Sequence, residues 1–221
     1  MRLLLIGPPG SGKGTQAKLL SQRLGLAHIA TGDMLRTAKK LGTAAGRKAA
    51  PFLDTAQLVP DELVNEVVAE RLRSERSEQF VFDGYPRTAA QAAFLDELLR
   101  ELGLNIEAVV FLNVEDEEIV RRGSGRRICP KDQTPYHIVS NPPKKEPGKC
   151  DVCGTPLVLR DDDREDKIRK RLREYRDMTL ELKPYYLKQG VEREIQGQGD
   201  IEAIYQSILK AIREQPSAKP T

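Results

Sequence analysis

The stretch Leu3 to Thr15, LLLIGPPGSGKGT, constrains this chain more than any other. Leu3, Leu4, Leu5 and Ile6 form an unbroken apolar run, the pattern of a parallel strand buried on both faces. Gly7-Pro8-Pro9-Gly10-Ser11-Gly12 cannot extend that strand and is rich in residues that permit tight turns. Gln16 to Leu24 then reads as a helix closed by Gly25, with Ala17, Leu20 and Leu24 on one face. A glycine loop between strand and helix curls its free N–H groups round an anion, and Lys13 adds a mobile positive charge. A turn that merely connects strand to helix does not account for Lys13 with both neighbours in place. The loop residues Gly10, Ser11, Gly12, Lys13, Gly14 and Thr15 are therefore expected to hold nucleotide phosphates.

The usual phosphate loop places a hydroxyl, the common Mg²⁺ ligand, directly after its lysine. Here Gly14 intervenes before Thr15. That argues against the common GTPase and ATPase arrangement and leaves Mg²⁺ to the nucleotide phosphates and water.

At 221 residues the chain is long enough for one main domain with insertions. A formal charge of +3 is too small to imply nonspecific nucleic-acid or membrane binding. Leu3 to Ile6 is too short for a signal-peptide core, and no run approaches a membrane span, so a cytoplasmic protein is expected.

Ala27 to Ile29 is a candidate strand, after which Thr31 or Asp33 is expected to cap a helix. The segment to about Val59 reads as a helical excursion from the sheet. Pro60-Asp61-Glu62 opens a helix with Leu63, Val64, Val67, Val68 and Leu72 on its apolar stripe. Phe80-Val81-Phe82 is a second buried strand ending at Asp83. Strand ends are where open α/β sheets bind ligands, so Asp83 is expected beside the phosphate loop, where it could hold a Mg²⁺-bound water. Thr88 caps the next helix and Gly103 ends it. Ala108 to Val114 and Val191 to Ile195 are further strands, Glu115 to about Arg122 and the segment from Ile201 are helical, and Gln215 to Thr221 reads as a frayed tail. Strands alternating with helices predict a parallel, doubly wound α/β sheet.

All three cysteines lie between Cys129 and Cys153. Cys129-Pro-Lys-Asp132 and Cys150-Asp-Val-Cys153 offer ligands at the spacing of a structural zinc ribbon. Cys129, Asp132, Cys150 and Cys153 would complete a closed tetrahedron around Zn²⁺, structural because it leaves no open position. His137 competes for the fourth place but falls outside the paired spacing. This stretch is too poor in apolar residues to fold by packing alone, and a metal would supply the missing stability.

GPPGSGKGT (7–15), TGDMLR (31–36), DGYPRT (83–88), GRR (125–127), NPPK (141–144) and the RDDD-to-KRL stretch (160–172) together resemble the adenylate kinases, in their long bacterial form with a metal-bearing lid. The resemblance implies a P-loop nucleoside monophosphate kinase fold. Residues 1–29, 60–124 and 163–221 would form the core, 30–59 a helical AMP-binding insertion and 125–162 a lid. It implies reversible transfer of the γ-phosphoryl of MgATP to AMP, giving two ADP, by a monomer without nucleic-acid or membrane partners.

By motif position, Arg36 and Arg87 would hold the AMP phosphate, and Arg126, Arg160 and Arg171 would close on the phosphates in transfer. Thr31, Gly84, Tyr85, Pro86 and the backbone at Gln57, Leu58 and Val59 would complete the AMP pocket. Gln91 has an amide that can pair with both N1 and N6 of adenine. Arg122, Tyr136 and the backbone of Gly199 would lie near ATP. Arg171 shares a helix face with Ile168, Leu172 and Tyr175, while Arg169, Arg173 and Arg176 point elsewhere. The nearest rival is a UMP or CMP kinase; Thr31 with Gln91 favours AMP. A zinc-ribbon binding module on a nucleotide switch finds support only in Lys144, Lys145 and Lys149.

Overall fold

The computed structural model describes residues 1–55, 57–74, 78–132 and 134–214, so the expected frayed tail lies outside the described residues. The apolar runs become β1 (Arg2–Ile6), β2 (Ala27–Ala30), β3 (Phe80–Asp83) and β4 (Ala108–Asn113), joined by the more polar β7 (Glu192–Gln196). They pair in the order β2-β3-β1-β4-β7, parallel throughout.

Strand alternation divides the apolar residues between two cores. Leu4 and Ile6 join Phe80, Phe82, Val109 and Phe111 on one face, while Leu3 and Leu5 join Val81, Val110 and Leu112 on the other. Helices α4 (Asp61–Ser74), α5 (Ala89–Glu101) and α8 (Leu182–Lys188) cover the first face through Val68, Leu95 and Tyr186. The second is covered by α1 (Lys13–Leu24) and α9 (Ile201–Arg213) through Ala17, Leu20, Ile204 and Ile208. Burial of each large aliphatic side chain contributes about 1.5–3 kcal/mol, so the centre of the sheet is the most secure part of the molecule. This is the parallel, doubly wound α/β sheet expected from the alternation of strands and helices.

The register brings the carboxyl ends together. Leu5 and Ala30 both pair with Asp83, Ile6 pairs with Phe111, and Asn113 pairs with Gln196. The glycine loop, Asp83 and the start of the next helical segment therefore share one edge of the sheet.

That helical segment is α2 (Thr31–Lys40) and α3 (Ala44–Asp54). Neither Thr31 nor Asp33 caps α2, contrary to expectation. β2 runs straight into the helix, so Ala30 occupies the cap position without a side-chain bond, and Thr31 is already helical. Its hydroxyl instead donates to the Gly84 carbonyl at 3.4 Å, while Asp33 accepts from Arg36. Pro60 lies just before α4, where its carbonyl accepts from Leu63 and Val64. Thr88 does cap α5, accepting from the Gln91 N–H at 3.1 Å.

Helix α6 (Asp116–Gly125) leads into β5 (Arg126–Ile128), which pairs antiparallel with β6 (Pro135–His137). Cys129, Tyr136 and Cys150, with Cys153 and Leu157 against them, form the small core of this segment. The chain returns along α7 (Glu165–Glu174) and continues through a π-helical turn, Tyr175–Thr179, into α8. Ile119, Val120, Ile168 and Leu172 pack α6 against α7. Among the described residues no helix is long and apolar enough to cross a membrane.

Candidate active site

Gly12, at φ 95°, caps α1 in the left-handed region, so Lys13 opens the helix directly beneath the glycine loop. The Lys13 ammonium donates to the carbonyls of Gly7 at 2.7 Å and Pro8 at 2.8 Å, folding back across the loop. Burial lowers its pKa to about 7; Asp83 opposes that fall, and Arg87, Arg171 and Arg126 add to it. Ser11 is buried beneath the loop, whereas Thr15 is exposed.

Asp83 stands at the end of β3 beside Lys13. Burial pushes its carboxyl up, but His28, Lys13 and Arg87 outweigh burial and hold it below the usual carboxylate range. His28 Nε2 lies 3.7 Å from Asp83 Oδ2, an ion-pair separation too long for a hydrogen bond. A Cβ on Gly14 would sit 3.0 Å from Asp83 Oδ2. The departure from the usual loop thus has a steric reason: the carboxylate occupies the space a side chain after Lys13 would need.

A cleft of about 620 Å³, solvent included, opens between the sheet edge, α2 and α7. It is large enough for a nucleotide-sized ligand. It gathers Thr31, Arg36, Gln57, Leu58, Val59, Gly84, Arg87, Gln91 and Arg171. A neighbouring recess joins Gly7, Lys13, Pro86, Arg87 and Arg171, so these last two arginines face both spaces. Arg87 Nε also donates to Gly84 O at 2.9 Å.

The cleft also includes Leu35, Leu53, Val64 and Glu174, which were not predicted. Leu35 follows Thr31 by one helical turn and Glu174 follows Arg171 by three residues, spacings that could have flagged both. Burial raises the Glu174 carboxyl, against the pull of Lys170, Arg171, Arg87 and Arg173. Tyr85 is fully buried and donates to Asn65 Oδ1 at 2.7 Å, behind the cleft wall.

The other expected residues lie outside these two spaces. Both Arg126 Nε and Nη2 donate to the buried Asp163 carboxylate. Arg160 lies 3.8 Å from Asp33. Arg122 donates to Glu118 at 2.6 Å and to Gly197 O at 2.8 Å, bridging α6 and the loop after β7. Gly199, in that loop, is exposed at φ 111°. The Tyr136 hydroxyl donates to Cys150 Sγ at 3.4 Å and accepts from Asp151 N at 2.7 Å, so its ring faces the core around the cysteines. Arg169 pairs with Glu165 and Glu117, and Arg176 with Asp116, away from the cleft.

Cys129, Asp132, Cys150 and Cys153 place one ligand atom each within 4.8 Å of one another. Cys129 Sγ is 3.4 Å from Cys153 Sγ, and Cys150 Sγ is 3.1 Å from Asp132 Oδ2. Hydrogen bonds from Thr134 and Cys150 hold the Asp132 carboxyl far below the usual range. Three thiols and a carboxylate so arranged fit one tetrahedral metal ion. His137 takes no part: its Nδ1 accepts from Val139 N and Ser140 N, and its ring fills the space over Gly125.

Comparison with known sequences agrees with this geometry. The sequence profile of the adenylate kinase family matches residues 5–191. The chain is 47% identical over 209 residues to the adenylate kinase of Archaeoglobus fulgidus, covering 94% of this chain and 96% of that one. It is 47% identical over 210 residues to the adenylate kinase of Chloroherpeton thalassium, with the same coverages, 94% and 96%. For the adenylate kinase of Methanothrix thermoacetophila the figures are 46% over 213 residues, 96% of this chain and 98% of that one. Identity at this level over nearly the full length of both partners is far more than a shared fold requires, and the chain belongs to the adenylate kinase family.

Proposed function

We propose that this chain transfers the γ-phosphoryl group of MgATP to AMP, reversibly giving two ADP. The observation that carries this reading is the continuity of the phosphate loop and the Arg87–Arg171 pair around one recess, open to the cleft lined by Gln91. Phosphoryl transfer is catalysed largely by alignment and by neutralising charge. The acceptor oxygen of a phosphate is already ionised, so the site needs no general base.

Arg36 and Arg87 hold the acceptor phosphate, with Thr31, Gly84 and the backbone at Gln57, Leu58 and Val59 around the nucleoside. Tyr85 and Pro86 shape the wall behind it. Lys13 and the loop N–H groups, from Gly10 to Thr15, hold the donor phosphates. Arg171 stands between the two. Arg126 and Arg160 join it by exchanging their present carboxylate partners, Asp163 and Asp33, for phosphate. Arg122, the Gly199 backbone and the backbone at Tyr136 face the donor base. Mg²⁺ arriving with ATP would supply further charge neutralisation, and Asp83, beside Lys13 and Gly14, would orient a water bound to it.

Residues 30–59 close over AMP and 125–162 over ATP, excluding water that would otherwise take the phosphoryl group. Cys129, Asp132, Cys150 and Cys153 would hold Zn²⁺, which would keep the lid rigid enough to move as a body and would do no chemistry. The protein acts as a cytoplasmic monomer.

The test is ADP formation from MgATP offered AMP, UMP, CMP, GMP or no acceptor. Strong AMP dependence is expected. Pyrimidine preference would overturn the base assignment, and transfer independent of any acceptor would overturn the kinase reading.

A further inference from the structure

Gln91 is 3% exposed, yet it is among the residues that line the cleft. Its Oε1 accepts from the Arg87 backbone N–H at 2.7 Å, and its Nε2 donates to Asp61 Oδ1 at 2.7 Å. Neither partner can exchange roles: a backbone N–H only donates, and a carboxylate only accepts. Turning the amide over would set its NH₂ against the Arg87 N–H and its oxygen against the Asp61 carboxylate. Asp61 is itself held by Thr88, whose hydroxyl donates to Oδ2 at 2.6 Å while capping α5.

From this geometry we infer that Asp61 is a specificity-determining positioning residue, locking the Gln91 amide in the order that reads a 6-aminopurine and rejects a 6-oxopurine. The inference rests on the reading of Gln91 as the acceptor-base contact. An amide has two acceptor sites on oxygen and two N–H donors. One of each is taken by Arg87 and Asp61, leaving one lone pair and one N–H in fixed order for the base. The adenine edge presents the N6–H donor beside the N1 acceptor, and the locked amide satisfies both. Hypoxanthine presents the O6 acceptor beside the N1–H donor, the reverse order, and would need the amide turned over. A polar site that cannot pair with the wrong base rejects it strongly. Cytosine offers the same donor–acceptor order as adenine, so the lock separates amino from oxo bases, and the space around the base must separate purine from pyrimidine.

IMP is the cleanest probe, since it differs from AMP only at the C6 edge. The experiment measures kcat/KM for AMP and for IMP, with saturating MgATP, in the wild-type chain and in Asp61→Ala, Asp61→Asn and Gln91→Ala. Asp61→Ala should lower the AMP-to-IMP ratio by about 10-fold or more, with the KM for ATP unchanged within about twofold. Asp61→Asn offers one acceptor and one donor where Thr88 and Gln91 each need an acceptor, so it should also lower the ratio, by less than Asp61→Ala does. If Asp61→Ala does not fold, Asp61→Ser replaces it, since serine suits a helix start but is too short to reach Gln91.

A folded Asp61→Ala or Asp61→Ser variant with the wild-type ratio would overturn the assignment. So would an equal loss on both acceptors, which marks a merely structural role. Wild-type transfer that does not depend on AMP would instead overturn the kinase reading. A wild-type ratio in Gln91→Ala would overturn the base contact on which the inference rests.

Discussion

Lys13 is the residue whose chemistry the fold alters most. Its pKa of about 7, against the usual 10.5, means that at pH 8 the empty loop holds a largely neutral amine. Phosphate oxygens would restore the charge, so donor binding at pH 8 should take up protons. Titration calorimetry in buffers of different ionisation enthalpy measures this, and Lys13→Met should abolish the uptake. The sign follows from linkage: donor affinity is highest below pH 7 and falls as pH rises through that value. In the empty protein the unfolded chain binds the extra proton between about pH 7 and 10, so stability rises with pH across that window. Gly14→Ala forces the Asp83 carboxylate to shift, and kcat should fall several-fold, by about 1 kcal/mol of transition-state stabilisation, with Tm nearly unchanged. Steady-state kinetics beside a melting curve separates the two effects. The phosphate loop was legible in the sequence because its residues are contiguous and its neighbours periodic. The proximity of His28 to Asp83 was not, because it depends on β2 lying beside β3, and strand order is not written in a strand's own residues.

At the scale of elements, α2 and α3 meet at Gly46, where a Cβ would lie 2.1 Å from the carbonyl carbon and oxygen of Ala38. That contact is backbone, so a side chain there can be accommodated only by parting the helices. Gly46→Ala should destabilise the helical segment by about 1–3 kcal/mol and raise the KM for AMP more than that for ATP. Initial-rate measurements with each nucleotide varied in turn check the asymmetry. The apolar stripes of α4 and α5 were readable from their 3.6-residue period. The bond between Asp61 on α4 and Gln91 on α5 was not, since periodicity tells which face is buried and not which polar side chains meet across it. Tyr136 illustrates the same limit. Motif position puts it near the donor nucleotide, but the ring faces the cysteines, because a core this small needs its one large side chain inside. Arg171 was legible for the opposite reason: it shares the face of Ile168 and Leu172, which pack against α6, and that packing fixes its direction.

Across the whole molecule, stability is unevenly spread. The sheet has two extensive cores, whereas among the described residues of 125–162 the core is the small cluster about Cys129, Tyr136 and Cys150. Removing a metal from the cysteine cluster should therefore loosen residues 125–162 first, raising their protease sensitivity and lowering Tm while the sheet persists. Calorimetry and limited proteolysis before and after chelation measure this, and unchanged melting and cleavage would refute the structural role of zinc. The strand that launches the phosphate loop carries another consequence. Leu3 pairs with both Val81 and Ala108, so β1 sits at the centre of the sheet although it comes first in chain order among the described strands. On the ribosome, the glycine loop emerges early but has no platform until β4 has followed it out of the exit tunnel. A stalled nascent chain ending before Ala108 should gain no protection from nucleotide, however high its concentration. Nucleotide should therefore steady the chain only once translation has passed β4, and not before.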